Sequence, residues 1–492
     1  MRNDLPGERI TERGGDMQPS VDKTQLKAGL KQRHMTMIAL GGVIGAGLFV
    51  GSGVVVQQAG PAAVLSFLIT GALVVLVMRM LGEMACAMPA VGSFYEYARL
   101  AFGGKRGSGN LAGFLTGWMY WYFWVIVVAV EAVAGAKLVQ FWLPDVPAWA
   151  ISMVLLVTLT ATNLVSVGSY GEFEFWFASI KVAAIMVFLF LGCMYVLGLW
   201  PAAKHVTAVL PTLLSHGGLM PKGIGPVLSG AVAATGFYFG AEIVTIAAAE
   251  AQEPAKAVAK ATNSVITRVL VFYVGSILLV VSLVPWNSPH MATPYVSALD
   301  AMGIPAAASV MNAIVLTAVL SALNSGLYAA SRMIFALTRH GDAPASLAKV
   351  NRRGVPVPAI LIGTVFGYAS VVMSYVSPDT VFAFLVNSYG TVAIFVYVLI
   401  AISQLKLRAR IEREAPHTLR VRMWCYPYLT WLAILGMLGI LVAMAFIPEQ
   451  RQPLWLGVVS LGVLLLLYLV RARRNNAVFL TPDAVEYRHN HR

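Results

Sequence analysis

The sequence has few charged residues: Asp, Glu, Lys and Arg make up 12% of its 492 positions. A soluble globular protein carries about 25%, so this scarcity argues against a water-soluble protein. Cysteine is rarer still, and Cys86, Cys193 and Cys425 lie far apart. Their spacing fits neither a disulfide framework nor a metal site, and we interpret them as packing residues. Hydrophobic residues make up 58% of the chain, which predicts a membrane protein.

Long apolar runs account for this composition. A transmembrane helix needs about 20 apolar residues, and twelve such runs occur in the sequence. They are too long and too uniformly apolar for the strands of a membrane β-barrel. We therefore predict an all-α membrane protein with twelve transmembrane helices. In chain order the segments are 34–57, 62–88, 111–140, 148–168, 174–198, 225–249, 264–285, 308–336, 356–376, 379–404, 424–447 and 453–471.

Basic residues are distributed unevenly between the predicted loops. With the N-terminus inside, and with Arg471 at the end of the last segment counted in the C-terminal tail, 27 of the 35 Lys and Arg residues fall in inside segments, 3 fall outside and 5 lie in spans. The positive-inside rule then predicts that both termini are cytoplasmic. The net charge of +13 is explained by orientation in a lipid bilayer, so we predict no nucleic-acid partner. The polar residues 1–33 do not have the pattern of a cleavable signal peptide.

The connections predict a ten-helix core followed by two added helices. Segments one to ten are joined by short connections, and a basic stretch precedes the last two. The predicted divisions are a cytoplasmic N-terminal tail (1–33), the core (34–404), a basic cytoplasmic loop (405–423), two peripheral helices (424–471) and a cytoplasmic C-terminal tail (472–492).

Glycines interrupt the first and sixth segments, which are five segments apart. Residues 41–53 read GGVIGAGLFVGSG, and residues 235–242 read TGFYFGAE. Matching interruptions in two halves of a membrane protein point to a transporter binding site. Repeats of five helices, over 34–198 and 225–404, would be inverted because five is odd. A broken helix frees amides that attract an anion and carbonyls that attract a cation, which suits a zwitterion. For 41–53 the alternative is helix packing through small residues.

Ionisable residues within spans are costly in lipid and usually functional. Lys181, two turns beyond Glu174, is a candidate for proton coupling, with a fixed salt bridge or a snorkelled helix end as alternatives. Glu242 follows the second interruption and either holds a proton, pairs with a substrate ammonium or caps freed backbone. Glu131, deep in segment three, has a proton or substrate-cation role or makes a structural hydrogen bond.

Other polar residues in the spans have simpler interpretations. Arg79 and Glu83 are one turn apart and are predicted to form a structural pair. Asn324 in segment eight either bonds to another helix or contacts a ligand. No nucleophile–base pair, zinc motif or phosphate loop is visible in the sequence, so we predict no enzyme, no metal and no cofactor.

Aromatic residues cluster at two places. Tyr238 and Phe239 flank the second interruption and are predicted to gate the site. The cluster GWMYWYFW at 117–124 either walls a cavity or lies at a membrane interface, where aromatic residues collect.

These stretches resemble the amino acid–polyamine–organocation superfamily, in its bacterial amino acid transporter branch. The resemblance covers about residues 30–470 and rests on LKQRHMTMIALGGVIGAGLFVGSG, GEFEFWFASIKV, GFYFGAEIVTIAAAEAQEPAKAVAKATNSVITR and ALNSGLYAASRMIFALTRHGDAP. GAEIVTIAAAE and LRVRMWCYPYLTWL are most similar to permeases for 4-aminobutyrate (GABA). The resemblance implies the leucine-transporter fold with inverted five-helix repeats, alternating access, and proton-coupled amino acid import across the bacterial inner membrane. Import of proline, an aromatic or a basic amino acid, and a non-transporting amino acid receptor, are the alternatives.

The resemblance also implies roles for individual residues. The substrate carboxylate would meet the amides of residues 45–47, and its ammonium would meet carbonyls near Val43 and Phe239. Lys181 matches a lysine that, in proton-coupled relatives, occupies a place used by sodium elsewhere. The predicted substrate-binding residues are Val43, Ile44, Gly45, Ala46, Gly47, Phe237, Tyr238, Phe239, Gly240, Glu242 and Asn324, and those predicted for proton coupling are Lys181 and Glu131.

Overall fold

The computed structural model is built from helices in the part of the chain that it describes: residues 29–42, 44–45, 47–90, 92–103, 108–199, 209–214, 216–376, 385 and 391–478. The helices are α1 (Gln32–Gly41), α2 (Ser52–Ala59), α3 (Ala63–Ala87), α4 (Phe94–Phe102), α5 (Ser108–Val139), α6 (Ala148–Val165), α7 (Val167–Val196), α8 (Val209–Leu214), α9 (Ile224–Thr235), α10 (Ile243–Ala247), α11 (Pro254–Thr267), α12 (Ser276–Leu283), α13 (Pro294–Ala301), α14 (Ala307–Arg339), α15 (Val357–Val376), α16 (Val392–Glu414), α17 (Tyr428–Phe446) and α18 (Pro448–Val478).

The first and sixth predicted segments are both broken. α1 ends at Gly41, and helical structure resumes as a π-helical turn at Gly47–Gly51 that continues into α2. α9 ends at Thr235 and is followed by a 3-10 turn and the extended residue Phe239 before α10 begins. The structure therefore confirms both predicted interruptions.

The two breaks touch each other through glycine backbones. Gly240 has φ +105°, and a Cβ atom at this position would lie 2.1 Å from the carbonyl oxygen of Gly42. Only glycine satisfies both the left-handed conformation and the close approach. Gly41 likewise brings α1 onto α7, because a Cβ atom there would lie 2.2 Å from that of Ala178. Small residues let these backbones approach closely.

Long helices surround the breaks. α5 packs along α14, α7 packs against α1, and α3 packs against α9. An isolated parallel bridge between Leu30 and Ala251 joins the start of α1 to the end of the sixth segment. α17 and α18 pack together at the periphery, and α18 also contacts α5. Both present large apolar side chains outward, such as Phe446 at 74% exposure, as expected for helices that face lipid.

Ten helices in the described residues are long and apolar enough to cross a membrane, two fewer than the twelve predicted. The difference has two local causes. The second half of segment one runs on into segment two, as Gly47–Ala87, and the apolar part of α15 is short, covering Val357–Met373. The first part of segment ten, up to residue 390, lies outside the described residues apart from residue 385.

The predicted structural pair of Arg79 and Glu83 is wrong. Arg79 does not pair with Glu83; its guanidinium donates to the Arg422 carbonyl at 2.8 Å and to Asn263. Glu83 instead accepts hydrogen bonds from Arg408, Gln404 and the Met423 amide, because a buried carboxylate is satisfied by whichever donors the fold brings to it.

The predicted loop 405–423 is helical as far as Glu414, since α16 continues past its apolar part. Of the three cysteines, only Cys86 is buried, whereas Cys193 and Cys425 are exposed, so packing explains Cys86 alone.

Candidate functional site

A cavity of about 300 Å³ lies between the two breaks. That volume is at the lower end of ligand pockets in proteins. Its walls come from both broken segments and from α5, α7 and α14. The lining residues are Gly42, Ile44, Gly45, Gly47, Val50, Gly51, Phe123, Trp124, Val127, Val130, Glu131, Ala134, Lys181, Gly236, Phe237, Phe239, Ser321, Ala322 and Ser325.

The cavity brings together seven of the thirteen residues predicted for the site. Val43 and Ala46 lie outside the described residues. Four others do not line the cavity: Tyr238, Gly240, Glu242 and Asn324. Those that line it are Ile44, Gly45, Gly47, Glu131, Lys181, Phe237 and Phe239.

The glycines of the first break have two different roles: some allow close packing, and one leaves the backbone accessible from the cavity. Cβ atoms at Gly47 and Gly51 would lie 2.5 Å and 2.6 Å from the ring of Phe237, so these two glycines seat that ring. A Cβ atom at Gly45 would meet nothing within 4 Å. Helix packing therefore explains Gly47 and Gly51, whereas Gly45 leaves its backbone open to the cavity.

Lys181 is held by two oxygen atoms. It is 1% exposed, and its Nζ donates to the Gly41 carbonyl at 2.7 Å and to the Ser321 hydroxyl at 2.8 Å. Ser321 in turn donates to Glu174 Oε1 at 2.7 Å. The lysine thus connects the end of α1 to a buried carboxylate.

A second cationic side chain binds the C-terminal end of α1. The Arg268 guanidinium donates to the Ala39 carbonyl and, at 3.1 Å, to the Ala261 carbonyl. Cations stabilise the last carbonyls of a helix, where the dipole is negative. The carbonyls of Ala39 and Gly41 at the end of α1 are therefore already bound by Arg268 and Lys181.

Glu131 presents an unused acceptor to the cavity. Its Oε2 atom is buried and has no hydrogen-bond partner among the described residues. Its carboxylate interacts electrostatically with Lys181. A buried acceptor of this kind is costly unless a donor meets it, so Glu131 can receive the donor of a ligand.

Glu242 caps the second break. It is fully buried and accepts hydrogen bonds from the Gly240 amide at 3.2 Å, from Tyr120 at 3.0 Å and from Tyr397 at 2.9 Å. Of its three predicted roles, the geometry matches backbone capping. The Tyr397 ring also stacks on Phe239, with ring centroids 4.7 Å apart, so Glu242 helps to hold the break in shape.

Tyr238 and Asn324 are engaged in packing. The Tyr238 hydroxyl donates to the Phe67 carbonyl at 2.8 Å, and its ring stacks on Tyr273, away from the cavity. Asn324 accepts a hydrogen bond at 2.9 Å from Asn163, which joins α14 to α6. The helix–helix alternative therefore describes Asn324.

The predicted set of site residues left out four residues of this region. Phe123 and Trp124 line the cavity, although the aromatic cluster at 117–124 already allowed that role. Ser321 and Glu174 complete the Lys181 network. The spacing of Glu174 and Lys181, two turns apart on one helix, was the available signal for Glu174.

Residues 34–479 match the amino acid permease family. The chain belongs to that family. The permease is 51% identical to the γ-aminobutyric acid permease of Bacillus subtilis, over 91% of this chain and 94% of that protein. It is 47% identical to the γ-aminobutyric acid permease of Escherichia coli K12, over 89% and 92%.

A solved structure has a similar fold. It is Mhp1, a nucleobase-cation-symport-1 family transporter in a closed conformation with bromovinylhydantoin bound; the TM-score is 0.52 and the identity 13%, over 94% of the permease and 98% of Mhp1. The permease is thus a multi-pass membrane transporter with a leucine-transporter-like fold, and not an enzyme.

Proposed function

We propose that the permease imports 4-aminobutyrate together with a proton by alternating access in the bacterial inner membrane. The observation that carries this proposal is the cavity between two broken helices, which has Glu131 and Lys181 on its wall. The two relatives named for GABA transport, at 51% and 47% identity, support the choice of substrate.

The substrate is proposed to lie across the cavity. Its carboxylate meets backbone amides at residues 45–47, where Gly45 leaves an open approach. Its ammonium meets Glu131, whose Oε2 has no hydrogen-bond partner within the described residues, in place of the carbonyls near Val43 and Phe239 that the resemblance implies. GABA carries its ammonium on the fourth carbon, and we propose that the molecule extends from one group to the other. The aliphatic chain lies among Ile44, Phe123, Trp124, Phe237 and Phe239.

Lys181 is proposed to carry the coupled proton. The lysine bonds to the end of the first half-helix, next to the break that binds the substrate. Loss of its proton would weaken that bond and change how α1 is held against α7. Proton binding and helix position would thereby be linked, which is what symport by alternating access requires.

The proposal extends to the architecture. We propose twelve spans, inverted repeats over 34–198 and 225–404, peripheral helices at 424–471 and cytoplasmic tails at 1–33 and 472–492. The breaks at matching places in the first and sixth segments support the repeat. The 27-to-3 distribution of basic residues supports the orientation, which reporter fusions at the two termini would test.

Uptake by proteoliposomes tests the function. Purified permease should accumulate radiolabelled GABA when the interior is more alkaline, and a protonophore should abolish accumulation. Uptake that ignores the proton gradient would refute coupling. Saturable GABA binding without any flux would favour the receptor alternative.

An aromatic amino acid is the second candidate substrate, because four aromatic side chains line the cavity. A competition panel separates the candidates. Unlabelled GABA should suppress labelled GABA uptake at lower concentrations than phenylalanine, tryptophan, proline or arginine. If phenylalanine is the better competitor, the aromatic assignment replaces GABA.

A further inference from the structure

We propose that Ser321 and Glu174 form a relay that takes the coupled proton from Lys181 and holds it on Glu174, outside the substrate cavity. This inference rests on the proton symport proposed above. It assigns the site where the proton resides between the substrate cavity and one face of the membrane.

The hydrogen bonds form a continuous path of suitable length. Lys181 Nζ lies 2.8 Å from Ser321 Oγ, and that hydroxyl donates to Glu174 Oε1 at 2.7 Å. Both distances fall within the normal hydrogen-bond range for their atom pairs. One hydroxyl thus separates the only lysine of α7 from the carboxylate two turns away on the same helix.

The transfer is balanced. A proton leaves the Lys181 ammonium for the Ser321 oxygen as the original hydroxyl proton moves to Glu174 Oε1. Lysine becomes a neutral amine, Glu174 becomes a neutral carboxylic acid, and serine is unchanged. No charge is created in the buried site, so the transfer avoids the cost of leaving one unpaired ion in a low-dielectric region.

Glu174 is placed to hold that proton. Its side chain is 0% exposed, and its second oxygen, Oε2, has no hydrogen-bond partner among the described residues. Glu174 also does not line the cavity, whereas Lys181 and Ser321 do. A proton held on Glu174 therefore breaks no hydrogen bond that Oε2 makes within the described residues.

The relay leads toward the end of the molecule where α1 and α7 begin. Arg33 and Glu172 pair at 2.6 Å at that end, and Glu174 lies between them and Lys181 along the helix. We propose above that this end faces the cytoplasm. The relay therefore moves the proton in the direction of import.

A further buried cluster continues in the same direction. Tyr170 lies one turn before Glu174, and its hydroxyl has no hydrogen-bond partner within the described residues. Its ring stacks on that of Tyr328, with ring centroids 4.0 Å apart. Tyr328 donates to Glu250 at 2.8 Å, and Arg332 pairs with the same carboxylate. The Glu250 carboxylate is the buried acceptor of this cluster, and it lies toward the same membrane face.

Charged and titratable groups around Glu174 come from several helices. Lys181 and Tyr170 are on α7 itself and interact electrostatically with Glu174. Glu131 of α5 interacts electrostatically with Lys181. Arg332 of α14 and Glu250 interact electrostatically with Tyr170, which in turn lies one turn from Glu174. From α1, His34 is bound to Glu172 at 3.0 Å, so its nearest carboxylate is not Glu174.

The test compares net uptake with exchange in proteoliposomes. Each pH unit of gradient can drive about a tenfold accumulation when one proton accompanies each substrate, so an interior about two units more alkaline supports about 100-fold. Wild-type permease should approach that ratio. Glu174→Gln, which mimics a permanently protonated carboxyl, should stay near a ratio of one. It should still exchange internal unlabelled GABA for external labelled GABA, because exchange needs no proton release.

Glu172→Gln is the matched control, because this partly exposed carboxylate lies on the same helix and the variant should accumulate GABA as wild type does. If Glu174→Gln accumulates GABA like wild type, the relay is wrong and symport stands. If wild type itself ignores the gradient, symport and relay both fail. If Glu174→Gln loses exchange together with uptake, Glu174 serves binding or folding and the relay is overturned.

Ser321 gives an independent readout. Ser321→Ala removes the hydroxyl between the two ionisable groups and should lower net uptake while exchange continues. Ser321→Thr keeps a hydroxyl and should restore net uptake. Net uptake by Ser321→Ala equal to wild type would rule out transfer through this residue.

Discussion

Glu131→Gln tests how the permease recognises the substrate's ammonium. The substitution keeps the shape of the side chain and removes only its charge. In wild type the unpartnered Oε2 atom is available to the ammonium of GABA. Glutamine offers a neutral oxygen and one additional donor, so the charge-assisted part of this contact is lost.

The expected loss follows from the burial of this pair. A hydrogen bond to a charged group contributes about 1.5–3 kcal/mol, and removing one partner of a buried pair costs about 2 kcal/mol or more. At about 1.4 kcal/mol per tenfold, GABA affinity should fall about 30-fold. Asp145→Asn, in the exposed loop after α5, should leave affinity unchanged.

Binding of radiolabelled GABA to purified permease, displaced by GABA or by butyrate, separates recognition from structure. Butyrate has the same carbon chain and carboxylate but no ammonium. Wild type should strongly prefer GABA, because butyrate leaves Glu131 buried without a partner. The preference should shrink in Glu131→Gln. An equal loss of affinity for both ligands would refute the assignment of Glu131 to the ammonium, as would an unchanged affinity for GABA.

Three further substitutions probe the site and its support. Lys181→Ala should abolish gradient-driven accumulation and leave some GABA binding, since the cavity keeps its other walls; accumulation like wild type would remove Lys181 from the mechanism. Gly45→Leu should abolish GABA binding by filling the open approach to the backbone. Gly439→Leu, at an exposed glycine of α17 with equally free space, should leave binding unchanged. An unchanged GABA affinity in Gly45→Leu would favour a packing role for Gly45. Arg332→Leu should lower the thermal unfolding midpoint, because it leaves Glu250 as an unpaired buried charge at a cost of about 3–5 kcal/mol. Arg410→Leu, which breaks the exposed Arg410–Glu414 pair, should produce no measurable shift. Equal unfolding midpoints for the two variants would contradict this reasoning.

Local patterns were sufficient for the breaks. Glycine is a poor helix residue, and its clusters in two apolar runs mark where helices cannot continue. Lys181 and Glu131 were identified in the same way, because ionisable residues are rare in apolar spans. Both line the cavity, although their spacing along the chain says nothing about their separation.

Pairings between distant segments were not predictable. Glu83 and Arg79 are one turn apart, yet Glu83 pairs with Arg408, 325 residues away. Glu242 follows the break in sequence but points into a shell of tyrosines from α5 and α16. The partner of a buried polar group depends on which helices surround it, and one span offers no information about its neighbours.

The sequence by itself determined that this is a helical membrane protein with two interrupted segments, because lipid requires long apolar helices and glycine weakens them at defined positions. Its stretches also indicated the permease family. Only the tertiary structure decided that Gly45 opens on the cavity while Gly47 packs, that Glu242 caps a break, and that Ser321 links Lys181 to Glu174. These outcomes depend on distances between segments far apart in the chain, which helix packing sets and the pattern within a single segment does not encode.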